Sequence, residues 1–143
     1  MKSNPVVHFE MGYEDKKRMC TFYEDVFGWQ TQILGPDMGD YVLATTAETD
    51  TKTSRPKLPG SINGGFYQKT ENPLSQAPSI VVAVDDIHAA MKSVAANGGK
   101  ILGGMDSSGK HSDDPTDIPG IGLWISVMDT EGNRLSMLQS QEM

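Results

Sequence analysis

The sequence predicts an α+β fold: two β-α-β-β-β modules paired in one pseudo-symmetric domain, 1–143, with a cavity shared between the copies. Three observations carry this. Val6-Val7-His8-Phe9-Glu10-Met11 and Ile80-Val81-Val82-Ala83-Val84-Asp85 both read as strands, and an amphipathic helix follows each. Each half then closes on a similar stretch, Asn63-Gly64-Gly65-Phe66-Tyr67-Gln68 in one and Asn133-Arg134-Leu135-Ser136-Met137-Leu138-Gln139 in the other. Neither half can bury both faces of its sheet alone, so the copies pack together or swap between chains. The module boundaries fall at about 5–69 and about 78–140.

In the first strand Val6, His8 and Glu10 share one face and Val7, Phe9 and Met11 the other. From Glu14 to Phe27 the apolar residues Met19, Phe22, Tyr23, Val26 and Phe27 make the stripe of a helix packed on a sheet, and Gly28 ends it. Strands follow at 29–34 and 41–46, separated by the turn at Gly35-Pro36. A polar, Pro-containing loop over 47–59 leads to the strand 61–68. Residues 70–78 link the halves. After the strand 79–84, Asp85 caps a second helix whose stripe is Ile87, Ala90, Met91, Val94 and Ala95. Asn97-Gly98-Gly99 stops that helix, and a short strand spans 100–102. Residues 103–120 are rich in Gly, Ser, Asp and Pro and read as a loop, either solvated and acidic or folded over the cavity as a lid. Strands at 123–128 and 134–139 flank the turn Asp129-Thr130-Glu131-Gly132-Asn133.

At 143 residues the chain can bury roughly two-thirds of its unfolded surface, enough for a real core. Its formal net charge of -7 repels phosphate backbones, so no nucleic-acid partner is expected. No apolar run approaches the ~20 residues of a membrane span, so no membrane partner is expected either. No apolar signal region follows Met1-Lys2-Ser3-Asn4-Pro5, and a lone Cys20 cannot form an internal disulfide; both point to the cytoplasm. Cys20 lies beside the first helix's stripe, which favours packing over reactivity. His88 sits off its helix stripe and reads as a surface residue.

Val7-His8-Phe9-Glu10, Phe22-Tyr23-Glu24-Asp25-Val26-Phe27-Gly28-Trp29, and Ile118-Pro119-Gly120-Ile121-Gly122 leading into Asp129-Thr130-Glu131-Gly132-Asn133 resemble the vicinal oxygen chelate superfamily. That superfamily contains glyoxalase I, bleomycin-resistance proteins and extradiol dioxygenases. The resemblance covers nearly the whole chain. It implies paired β-α-β-β-β modules forming a curved mixed sheet around a cavity, commonly in a homodimer. Metal-dependent members hold a divalent ion with His or Gln, then Glu, then His, then Glu. Carried over, these positions fall on His8, Phe66 (give or take a residue), Ile80 and Ser136. Only His8 retains a metal-ligating type; Phe66 and Ile80 cannot coordinate a cation, and Ser136 is a poor neutral ligand. The pattern implies no metal and no cofactor, as in the drug-binding branch of the superfamily.

Other residues offer alternatives. Glu10 shares a strand face with His8, their Cβ atoms ~6–7 Å apart, so the pair can hold a metal with help or act as a base and its orienting carboxylate. His111 is flanked by Asp113, Asp114 and Asp117. Val6, His8, Glu10, Phe66, Ile80, Val82, Trp124, Ser126, Ser136 and Leu138 are the expected cavity lining, with Phe66 and Trp124 able to stack on a planar ligand. His8-Phe9-Glu10 lacks the Cys-x-x-Cys of a zinc deaminase, and no phosphate loop, calcium loop or Gly-x-Ser-x-Gly elbow occurs. Three readings follow: a metal-free binder of a small organic molecule; a lyase or dioxygenase using His8 and Glu10 on an oxygenated substrate; or a non-catalytic dimeric interaction module.

Overall fold

The computed structural model describes residues 2–105 and 110–141. The chain forms two compact units, here called modules: Val7–Ser79, and the segment up to Val6 together with the chain from Ile80 onward. In the first, β1 (Val6–Tyr13) leads into α1 (Lys16–Phe27), then β2 (Gln30–Ile33), β3 (Val42–Thr45) and β4 (Asn63–Gln68). The strands lie in the order β2-β3-β4-β1, with β4 parallel to β1 and the β2–β3 and β3–β4 pairs antiparallel. In the second, β5 (Ser79–Ala83) leads into α2 (Ile87–Ala96), then β6 (Lys100–Met105), β7 (His111–Ser112), β8 (Thr116–Ile118), β9 (Gly122–Met128) and β10 (Arg134–Ser140). Here the order is β5-β10-β9-β6-β7, with β8 also on β9 and β10 parallel to β5. Each module thus pairs its first strand with its last in parallel, across a helical connection.

The helix ends follow from local chemistry. The Asp15 carboxylate accepts from the Arg18 N–H and caps α1, while Gly28 closes it at φ 71, a conformation glycine adopts without penalty. The cap of α2 is Asp86 rather than Asp85: its carboxylate accepts from the N–H groups of His88 and Ala89. Asp85 instead points outward to Lys2, an exposed ion pair worth little.

The first core gathers Tyr13, Cys20, Val42, Ala44 and Phe66, with Phe9, Met11, Met19, Tyr23 and Trp29 packed against it. Burying a side chain of the size of Phe66 contributes about 1.5–3 kcal/mol. Only part of the expected α1 stripe faces this core. Met19 and Tyr23 do, but Phe22, Val26 and Phe27 are more than half exposed. The helix is rolled toward Cys20, and the outward rings pack among themselves, Phe22 edge-on to Tyr23 and Phe27. The second core is Val84, Ile87, Ile125, Val127 and Met137, with Val82, Ala90, Met91, Val94, Ile101, Leu123 and Leu135 around it. His88 is exposed, as its place off the stripe predicts.

Part of the expected loop 103–120 is strand. β6 runs on to Met105, β7 folds back on it through Gly104↔Ser112, and β8 adds to β9 through Thr116↔Trp124. These strands are too short to show alternation, and backbone pairing rather than an apolar face defines them. Residues 106–109 of that segment lie outside the described residues. His111 sits on β7, exposed, with a ring nitrogen 2.9 Å from the Leu102 carbonyl oxygen. Among the described residues no helix is long and apolar enough to cross a membrane.

Candidate functional site

Alternation along β1 turns Phe9, Met11 and Tyr13 toward α1 and leaves His8 and Glu10 on the opposite face. The register places Gly65 of β4 beside Glu10 and Asn63 beside His8. Leu43 of β3 lies across from Gly65. Tyr41, just before β3, reaches over this surface. Its hydroxyl donates to Glu10 Oε2 at 3.1 Å and lies 3.1 Å from His8 Nε2. A Cβ at Gly65 would overlap the Tyr41 ring and its hydroxyl, so glycine is what lets the phenol lie flat there. Its neighbour Gly64 makes the same room for the Phe9 ring on the core face. The Gly-Gly pair therefore seats one aromatic ring on each side of β4.

A tight turn sets Tyr41 in place. Gly39 (φ 68) and Asp40 (φ 56) are consecutive left-handed residues, the second of them uncommon outside glycine. Asp40 is held on both sides: its carbonyl accepts the buried Tyr13 hydroxyl at 2.7 Å, and its carboxylate lies 3.7 Å from Lys16 Nζ. The Tyr41 carbonyl then accepts from the Leu34 N–H at 2.9 Å, continuing the β2–β3 ladder.

The proton positions follow from these contacts. The single Tyr41 proton goes to Glu10, so the phenol oxygen accepts from His8 Nε2–H and His8 Nδ1 carries the lone pair. Burial lowers the His8 pKa to about 4, which keeps the imidazole neutral. Burial first, and then the Glu10 charge and hydrogen bond, push the Tyr41 phenol well above its ordinary value and keep it protonated. The network ties two neutral rings to the Glu10 side chain.

The second module presents a corresponding face. Met137 and Ile125 turn to the α2 side, so Ser136, Leu138, Ser126 and Trp124 share the other. Ser136 lies directly across from Ser126, and Leu138 across from Trp124. On the far side of Ser136 stands Val81 of β5. The hydroxyls of Ser126 and Ser136 are buried without a hydrogen-bond partner among the described residues, and so is that of Ser79, the first residue of β5.

The two helix caps, Asp15 and Asp86, fix the offset of the repeat, and the core faces obey it: Met11 corresponds to Val82 and Phe66 to Met137. The same offset sets Gly65 against Ser136 and His8 against Ser79. Across the antiparallel ladders Tyr41 then corresponds to Trp124. Matching Asn63 with Asn133 is one residue out. Three expected lining residues fall on the other face, Phe66 by that slip and Ile80 and Val82 by the alternation of β5. Phe66 is buried in the core against Phe9 and Tyr23. Ile80 shares its strand face with Val82 and Val84, which pack toward α2, and is itself 42% exposed. Val82 leaves the lining for the same reason. Of the rest, His8 and Glu10 meet in the first module, and Trp124, Ser126, Ser136 and Leu138 meet in the second. Tyr41 was absent from the sequence reading; its signal was the Gly64-Gly65 pair, legible only with β3 beside β4.

Among the described residues no three His, Cys, Asp or Glu side chains lie close enough to hold a metal ion. Gly65, Ser79 and Ser136 supply no charged donor at the positions matched by the repeat, and His8 and Glu10 are engaged by Tyr41.

This architecture is a mixed α+β fold built of two β-α-β-β-β modules. The chain belongs to the Glyoxalase/Bleomycin resistance protein/Dioxygenase superfamily, whose family model matches residues 6–137. A glyoxylase-like domain-containing protein of Didymella fabae is 33% identical over 104 residues, spanning 71% of this chain and 74% of the relative. Among solved structures, a hypothetical protein from Bacillus halodurans C-125 aligns with a TM-score of 0.66 and 15% identity, covering 99% of this chain and 98% of that one. A variant of Streptomyces coelicolor methylmalonyl-CoA epimerase in complex with 2-nitronate-propionyl-CoA aligns with a TM-score of 0.62 and 14% identity, covering 97% and 96%. At these identities the solved structures support the fold alone.

Proposed function

We propose that this chain binds a small organic molecule without a metal, and that His8, Tyr41 and Glu10 form the polar anchor of the site. One observation carries the reading: the Tyr41 hydroxyl bridges His8 and Glu10 at 3.1 Å on each side. This network already engages both side chains through one hydroxyl. It offers a ligand a fixed acceptor at His8 Nδ1, a preorganised arrangement suited to recognising an O–H or N–H group. Base catalysis is the weaker reading of the same residues, because a base with a pKa of about 4 has little driving force to take a proton at neutral pH. The reading keeps the chain as one domain, a homodimer in the cytoplasm. Support for the dimer is the exposed apolar row Phe22, Val26 and Phe27 on α1, and for the compartment the unpaired Cys20.

The test is a thermal-shift screen of small O–H and N–H compounds on protein whose metal content is measured in parallel. A ligand at a hundredfold excess over Kd stabilises by about 2.7 kcal/mol, well within reach of the method. Hits that vanish in Tyr41→Phe are the expected result. About one tightly bound transition metal per chain, or hits indifferent to both Tyr41→Phe and His8→Ala, would overturn the reading.

A further inference from the structure

We propose that Ser126 and Ser136 form a cradle for the carbonyl oxygen of a neutral planar ligand, whose plane rests on Trp124. Ser136 is fully buried and Ser126 is 7% exposed, yet neither hydroxyl has a partner among the described residues. Native proteins leave few buried hydroxyls unsatisfied, since each forfeits the hydrogen bonds it had in water. Two such groups directly opposite on an antiparallel pair have Cβ atoms about 4.5–5.5 Å apart, a spacing one shared oxygen can bridge.

The internal repeat says what that oxygen replaces. In the first module the position matching Ser136 is Gly65, and over it lies the Tyr41 hydroxyl, satisfied by Glu10 and His8. In the second module the aromatic position holds Trp124, whose indole brings no oxygen, and the position of Glu10 holds Val81. The partner that the chain supplies for itself in one module has no counterpart in the other. A carbonyl accepts from both serine hydroxyls at once. The flat group attached to it meets Trp124 and Leu138, next along the same face. A carboxylate is disfavoured: two neutral hydroxyls compensate a buried charge poorly, and the chain carries a net charge of -7.

The experiment titrates the full chain with benzamide, followed by chemical shifts, with toluene and benzoate as controls. We expect benzamide to bind, the double variant Ser126→Ala, Ser136→Ala to weaken it by about tenfold or more, and toluene to bind both proteins alike. Trp124→Ala should weaken benzamide and toluene together. No benzamide binding, equal binding by the double variant, or tighter binding of benzoate each overturns the proposal. A crystal structure with benzamide in which a water still sits between the two serine hydroxyls overturns it as well. The proposal stands on second-module residues, so its failure leaves the His8–Tyr41–Glu10 reading intact.

Discussion

In the first module, the open face of β1, β3 and β4 carries a tyrosine hydroxyl with a partner on each side. In the second, the matching face of β5, β9 and β10 carries two serine hydroxyls with none among the described residues. The two faces share strand order, register and helix caps, so the backbone is not the source of the difference. Three exchanges make it: Gly65 against Ser136, Tyr41 against Trp124, and Glu10 against Val81. A duplicated fold can therefore hold one copy's polar balance closed while the other's stays open.

The largest effect should come from filling Gly65. Gly65→Ala pushes out the Tyr41 ring and should cost about 2–4 kcal/mol in chemical denaturation, from overpacking and from the hydrogen bonds lost. The same change in a Tyr41→Ala background should cost far less; equal costs would mean that the contact between them is unimportant.

The pH dependence comes next. The His8 pKa falls from 6.5 unfolded to about 4 folded, so below pH 6.5 the unfolded chain takes a proton that the native site refuses. Stability is then complete above pH 6.5 and declines toward pH 4, by at most about 3 kcal/mol from this group. His8→Gln should flatten that slope, and an unchanged slope would assign it to other groups.

A matched pair of hydroxyl deletions sharpens the comparison directly. Tyr41→Phe should cost about 1–3 kcal/mol, because it removes the hydroxyl that Glu10 and His8 share. Ser136→Ala in the ligand-free protein should cost under about 0.5 kcal/mol or stabilise, because it removes a group with no partner. Equal losses at the two sites would erase the distinction between the modules.

The smallest effect lies in the β9–β10 turn. The Asp129 carboxylate accepts from Asn133 Nδ2 and from the N–H groups of Glu131 and Asn133, and these bonds, Asn133 first, lower its pKa below 3.8. Its stabilisation is present above pH 3.8 and is lost as pH falls through the folded value. Asp129→Ala should lower the melting temperature slightly at pH 7, and the gap should close in strong acid.

Much of this was legible in the sequence. Long stripes and alternation located α1, α2, β1 and the β9–β10 hairpin, and the Gly28 stop and Asp129 turn are local chemistry. Two kinds of information were not. The first is register, where a slip of one residue turns a side chain to the other face. Phe66 was misplaced by that slip and Ile80 by the alternation of β5, and the choice of Asp85 over Asp86 as the cap is a one-residue error at a helix end. The second is lateral contact. Tyr41 matters only because Gly65 lies on the neighbouring strand, and neither residue announces this in its own segment. Serines at 126 and 136 could be placed on one face by alternation, but their lack of partners is a property of the packed sheet.

The phenol lying over Gly65 also bears on how this lineage can change. In metal-dependent relatives a glutamate is expected near this point of the last strand of the module. Here the volume for such a side chain belongs to Tyr41. Restoring a carboxylate at position 65 therefore takes two substitutions, and either alone damages the fold: the new side chain collides with the ring, or the vacated ring leaves His8 and Glu10 without their bridge.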